Sequence, residues 1–127
     1  MEEAKTLSDQ EWFEAMHAAE DRLIRLSGLG LSQVKKSFIT IQVAEGPFRV
    51  RVFEIGDKSK ETLVLTHGFS ACALSYYTML KTLSEKYRLV LFDNASWGLN
   101  TRLKECSGMQ SPAKAEAWLI DWLVKVF

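Results

Sequence analysis

The sequence predicts an α/β domain: an N-terminal helix, a β-hairpin, then strand, helix, strand and helix on a mainly parallel sheet. Three stretches carry that expectation. Trp12, Phe13, Met16, Ala19, Leu23 and Ile24 recur at helical spacing. Residues 39–52 alternate apolar and polar around Glu45-Gly46-Pro47, the signature of a hairpin with one buried face. Leu63-Val64-Leu65-Thr66 and Leu89-Val90-Leu91-Phe92 are short, uncharged apolar runs separated by a helix-like segment, as strands covered on both faces read in a parallel sheet.

Taken in order, Ser8 followed by Glu11 is a capping-box pattern and starts a helix over Asp9–Leu26. Gly28 and Gly30 stop it, through a left-handed cap or a loose turn. Its apolar stripe is expected to pack on the sheet, although Trp12 beside Phe13 would also suit a membrane interface. His17 has no partner nearby in sequence and is expected to be structural. In the hairpin, Ile39, Ile41, Val43, Phe48, Val50 and Val52 are assigned to the buried face, and Thr40, Gln42, Arg49 and Arg51 to a solvated one. Residues 56–61 form a polar surface loop.

Leu74, Tyr77, Met79, Leu80 and Leu83 predict a helix over Ala73–Lys86, and Tyr87-Arg88 joins it to the strand that ends in Asp93. The loop from Asn94 to Gln110 holds Ser96, Trp97, Gly98, Asn100 and Cys106. Ser111-Pro112 opens a last helix, serine as N-cap and proline in the first turn, with Ala115, Trp118, Leu119, Trp122, Leu123 and Val126 as its apolar stripe.

Composition narrows the function classes. A chain of 127 residues, 47% hydrophobic and 25% charged, has the makings of one ordinary domain with a real core. Sixteen basic and sixteen acidic residues cancel, and neither sign forms a block, so a nucleic-acid partner is not expected. Cys72 and Cys106 are too few for a zinc site or a disulfide scaffold, and no leader-like segment opens the sequence, which makes a cytoplasmic location the default. No apolar run approaches the ~20 residues that span a bilayer, so the only membrane or lipid-droplet contact expected is peripheral. Neither a metal nor a cofactor is expected: His17 and His67 stand far apart, no carboxylates cluster at ligand spacing, and Gly28-Leu29-Gly30 lacks the other positions of a phosphate loop.

The informative stretch is the end of the first apolar run, His67-Gly68-Phe69. Gly68 is read as the residue that lets the backbone turn sharply with its amides exposed, and such amides can donate to an oxygen that becomes negative during acyl transfer. That is half an oxyanion hole. A strand ending in His67-Gly68-Phe69, then a helix, then a strand ending in Phe92-Asp93 resembles the front half of the α/β-hydrolase family, over about Val34 to Phe127. The resemblance implies an incomplete α/β-hydrolase fold: residues 1–33 as a helical extension, 34–127 as the N-terminal part of the hydrolase domain, truncated before the nucleophile elbow, and strand order 1-2-4-3-5 onward. The helix carrying Ala19-Glu20-Asp21-Arg22-Leu23-Ile24 looks most like the branch of N-acyl phospholipid lipases and lipid-droplet lipase coactivators.

Carried over residue by residue, the resemblance makes the Phe69 backbone N–H the first oxyanion donor, with Gly68 and His67 supporting the loop. Asp93 matches the aspartate that closes the fourth strand, not the triad acid. The turn after it departs from the family's D-x-x-G-x-G-x-S: Ser96 stands at the first glycine, Gly98 keeps the second, and Asn100 replaces the serine.

Acyl transfer also needs an activated serine, a histidine base and an orienting acid. No G-x-S-x-G occurs; Gly68-Phe69-Ser70-Ala71-Cys72 is the nearest miss, which keeps Ser70 as an alternative elbow serine, but no histidine follows it. Two functions are therefore expected. The first is the N-terminal portion of a serine hydrolase acting on small-molecule or lipid carboxylic esters, inactive as this chain alone. The alternative is a non-catalytic, lipid-associated binding or lipase-regulatory protein.

Overall fold

The computed structural model describes residues 8–44, 46–102 and 112–126. The expectations for Glu45, Cys106, Gln110 and Ser111, and for the side chains of Ala115, Trp118 and Leu119, lie outside the described residues.

Helix α1 spans Asp9–Leu26 and begins with the capping box: Ser8 accepts from the Glu11 N–H, and the Glu11 carboxylate accepts from the Ser8 N–H at 2.9 Å. Beyond its end Gly28 takes φ +83°, a left-handed conformation that needs glycine. Strands β1 (Val34–Val43) and β2 (Gly46–Ile55) form the hairpin, β3 (Thr62–Thr66) follows, and β4 (Arg88–Phe92) comes after helix α2 (Tyr77–Lys86). Residues Ala73–Tyr76, expected as the first turn of α2, are a separate 3₁₀ turn. Helix α3 spans Pro112–Val126.

The sheet has the order β1-β2-β4-β3. β1–β2 and β2–β4 pair antiparallel, and β3–β4 pair parallel, with Leu63 opposite Leu89 and Leu65 opposite Leu91. One face packs Phe53, Ile55, Leu89 and Leu91 against Ile24 of α1 and Leu80 of α2. The other packs Ile41, Phe48, Val50 and Phe92 around Trp122 of α3, whose ring meets Phe48 edge-on at 6.2 Å. The result is a layered helix–sheet–helix arrangement around a mixed sheet.

Three assignments are corrected. Arg51, placed on a solvated face, is only 2% exposed. From Val50 to Phe53 both faces of β2 are covered: Val50 and Val52 point to α3, and Arg51 and Phe53 to the α1–α2 side, while Arg49 is exposed as expected. Ile39, placed in the core, is exposed at the outer strand. The β3 run, read as covered on both faces, is covered on one: Leu63 and Leu65 pack on the α1–α2 core, while Thr62, Val64 and Thr66 are exposed; its place beside β4 agrees with the expected order 1-2-4-3. No described element covers that second face of β3.

Candidate functional site

β3 and β4 run parallel and end side by side, which brings His67 and Gly68 against Asp93 and Asn94. His67 is buried, and both its ring nitrogens are engaged. The Asn94 N–H lies 2.8 Å from Nε2, and a backbone N–H can only donate, so Nε2 carries no proton. The ring proton therefore sits on Nδ1, which donates to the Gly68 carbonyl at 2.9 Å. Asn94 closes the link from the other side, its Nδ2 donating to the His67 carbonyl at 2.6 Å. Trp97 sets its ring edge-on to both His67 and Phe69, with centroids 6.1 and 5.8 Å away.

The loop itself is a four-residue turn in which the Ala71 N–H donates to the Gly68 carbonyl at 3.3 Å. Its third residue, Ser70, holds φ +62°, in the place where type II turns favour glycine. The conformational freedom expected of Gly68 is thus used at Ser70 instead. Gly68 is outside the left-handed region, and a β-carbon there would meet nothing within 4 Å. The Phe69 side chain is 94% exposed, and its N–H makes no hydrogen bond among the described residues. Among the described residues Ser70 likewise has no base beside it, since both nitrogens of His67 are committed elsewhere.

Asp93 is buried behind this loop. Its Oδ1 accepts from the Ala73 N–H at 2.7 Å, fixing the 3₁₀ turn to the end of β4. Burial pushes the Asp93 carboxyl above the usual carboxylate range, against the pull of the Ala73 N–H. The turn after it folds tightly over the carboxylate: Gly98 holds φ +54°, and a β-carbon there would fall 2.0 Å from Asp93 Oδ2. Ser96, standing where a glycine is expected, adopts φ +65° nonetheless. Asn100 ties the turn down, donating to the Asp93 and Asn94 carbonyls at 2.6 and 3.0 Å and accepting from the Arg51 N–H at 2.6 Å. Asn100 thus bridges β2 and the turn through backbone groups, a role open to an amide that both donates and accepts.

A second polar cluster went unread in the sequence. Arg51 forms a two-point ion pair with Glu20 of α1, Nε to Oε1 at 3.1 Å and Nη2 to Oε2 at 2.5 Å. Its guanidinium lies over Phe38 and Phe53, at 4.7 and 5.3 Å from the ring centroids. His17 stands 3.4 Å from Arg51 Nη2 on one side and 3.4 Å from Lys36 Nζ on the other, and Lys36 also pairs with Asp21. Burial, then the Arg51 charge, lowers the His17 pKa. The available signal was Glu20 itself, which falls on the helical stripe between Met16 and Ile24.

Between the two clusters lies an apolar pocket of about 120 Å³, lined by Met16, Ala19, Leu23, Phe53, Cys72 and Leu74, with Glu20 and Asp93 at its wall. No group of three or more metal-ligating side chains occurs among the described residues. No described helix is long and apolar enough to cross a membrane.

The fold is the α/β-hydrolase fold, of which the chain carries an incomplete version. It is similar to a membrane phospholipase A described as a bacterial virulence factor, with TM-score 0.54 and 19% identity over 91% of this chain and 34% of that one. It is similar also to naproxen esterase of Bacillus subtilis, with TM-score 0.58 and 18% identity over 95% and 39%. The Cif epoxide hydrolase of Acinetobacter nosocomialis gives TM-score 0.55 and 13% identity over 99% and 36%. The chain thus spans little more than a third of the length of the solved structures it matches. The sequence matches no protein-family model and no curated protein.

Proposed function

We propose that this chain is the N-terminal portion of a serine hydrolase acting on carboxylic esters, lipid esters in particular, and that it supplies the oxyanion loop while the triad lies outside it. In this reading residues 1–33 are a helical extension and 34–127 the first part of the catalytic domain. The observation that carries it is the Phe69 N–H at the end of β3, which has no hydrogen-bond partner among the described residues. Its loop is held from behind by His67, Asn94 and Trp97. His67 is a positioning residue, because its two nitrogens are spent on the loop. The amide needs no reorganisation when charge develops, which is what makes such donors effective.

A second reading, a non-catalytic lipid-associated binding or lipase-regulatory protein, is favoured by one observation: no histidine among the described residues is free to act as a base. The narrower likeness to N-acyl phospholipid lipases and lipid-droplet lipase coactivators, with peripheral membrane contact and a cytoplasmic location, belongs to either reading and rests on the α1 sequence alone.

The coding sequence downstream of Phe127 discriminates the two. An in-frame G-x-S-x-G followed by aspartate and histidine supports the hydrolase; a substituted pentapeptide supports the regulator. In a protein that includes the pentapeptide, Phe69→Pro deletes the proposed donor at the turn position that proline suits, and turnover of a p-nitrophenyl ester should fall ~100-fold to ~1000-fold. Phe69→Ala keeps the amide and should fall far less. Equal turnover for the proline variant and the parent would remove the loop from the chemistry.

A further inference from the structure

His17 of α1 lies between two cations. Its Nδ1 stands 3.4 Å from Lys36 Nζ of β1, and its Nε2 stands 3.4 Å from Arg51 Nη2 of β2. Lysine and arginine only donate hydrogen bonds, so a neutral ring can accept one of these contacts at its bare nitrogen. An imidazolium has no bare nitrogen and sets two N–H groups and a positive charge against both partners. The carboxylates facing the ring are already engaged, Glu20 with Arg51 and Asp21 with Lys36, and Glu20 Oε2 approaches His17 Nδ1 only to 3.9 Å. Among the described residues these are the charged groups that act on His17: Glu20 and Asp21 from α1, Lys36 from β1 and Arg51 from β2.

From this geometry we infer that α1 is a pH-sensitive latch, whose N-terminal part is docked on the hairpin while His17 is neutral and lifts when His17 takes up a proton.

The two ends of α1 are held differently. Ile24, fully buried, anchors the C-terminal end in the apolar core. The part up to Asp21 meets the hairpin through the Glu20–Arg51 and Asp21–Lys36 pairs, through His17 between them, and through Phe13, whose ring stacks 6.5 Å from that of Phe38. That seam lies at the β1–β2 end of the sheet, away from β3, where the expected strand order continues.

The apolar pocket links the latch to the candidate site. Met16, Ala19 and Glu20 of α1 line it together with Asp93. Asp93 in turn holds the Ala73 N–H at 2.7 Å, and with it the turn that follows the His67-Gly68-Phe69 loop. Lifting α1 admits water to that pocket and removes burial that keeps the Asp93 carboxyl above its usual range, so mild acid reaches the support of the loop.

The test is hydrogen–deuterium exchange on the full chain between pH 7.5 and 5.5, each rate divided by the intrinsic rate at the same pH. Residues 13–21 should exchange through a local opening, with less protection than β4 and no response to low urea. Their protection should be level above pH 6.5, the ordinary value for His17, and fall several-fold by pH 5.5; one such group sets a limit of roughly tenfold. In His17→Gln the protection should stay level. Lys36→Met, which removes one of the two cations, should shrink the fall. The readout is α1 itself, so it stands apart from the chemistry proposed for the loop. Protection of residues 13–21 equal to that of β4 at every pH, no fall in wild type, or an undiminished fall in either variant would each overturn the latch.

Discussion

His67 and Asn94 hold each other reciprocally: the Asn94 N–H donates to His67 Nε2 at 2.8 Å, and the Asn94 side chain donates to the His67 carbonyl at 2.6 Å. The pair fixes the ends of two parallel strands together and fixes the tautomer of the histidine.

The two halves of that link should differ in cost. His67→Phe strands the Asn94 N–H, so about 1–3 kcal/mol of stability should be lost. Asn94→Ala removes one side-chain bond but keeps the backbone donor, and should lose about 1 kcal/mol. Urea denaturation gives both values, and the reverse ranking would refute the arrangement. Long-range ¹H–¹⁵N correlation should place the ring proton on Nδ1.

The Arg51–Glu20 pair should show strong coupling. Removing either partner alone, as Arg51→Met or Glu20→Leu, leaves a buried charge unmatched and should cost about 3–5 kcal/mol. The double variant should cost much less than the sum of the singles. A double-mutant cycle with additive losses would mean that the ion pair contributes only packing.

Acid should weaken the fold in two windows. The His17 pKa is lowered in the fold, so below its ordinary value of 6.5 the unfolded chain takes up a proton that the folded chain resists. Stability is full above pH 6.5 and falls as the pH drops below it. Asp21, held low by its bond to Lys36, and Glu54, held low by Lys35 and then Arg88, act in a separate window near the carboxylate range. Denaturation midpoints from pH 8 to 5.5 should therefore decline for wild type and stay level for His17→Gln.

Gly98 and Gly68 should answer substitution differently. Gly98→Ala forces a β-carbon onto the Asp93 carboxylate and a side chain onto a left-handed backbone, which by itself costs about 1–2 kcal/mol. Gly68→Ala meets open space and needs no left-handed φ, so the fold should barely register it. Thermal melts of the two variants give the comparison, and a larger loss at position 68 would contradict the loop geometry.

Local patterns in the sequence determined the elements. The Ser8–Glu11 box, the helical stripe behind it, the alternation around the hairpin and the two uncharged runs each depend on residues a few positions apart, which is the range over which caps, periodicity and turns act. They also singled out His67-Gly68-Phe69 as the candidate site. Tertiary structure decided everything that depends on a second layer. Arg51 reads as a wet residue because period two records only that the strand has two faces; the docking of α1 turned the second face into an interior, and Glu20 made that burial tolerable. Gly68 reads as the turn residue because glycine permits a positive φ, but the hydrogen bond from Ala71 to Gly68 moved the left-handed position to Ser70. The β3 run reads as covered on both faces because apolar composition reports what a strand can bury, whereas the packing of helices decides which of its faces is covered. For His67 the resemblance already implied loop support, and the tertiary structure supplied the partners: the Asn94 amide arriving across two strands on one nitrogen and the Gly68 carbonyl on the other.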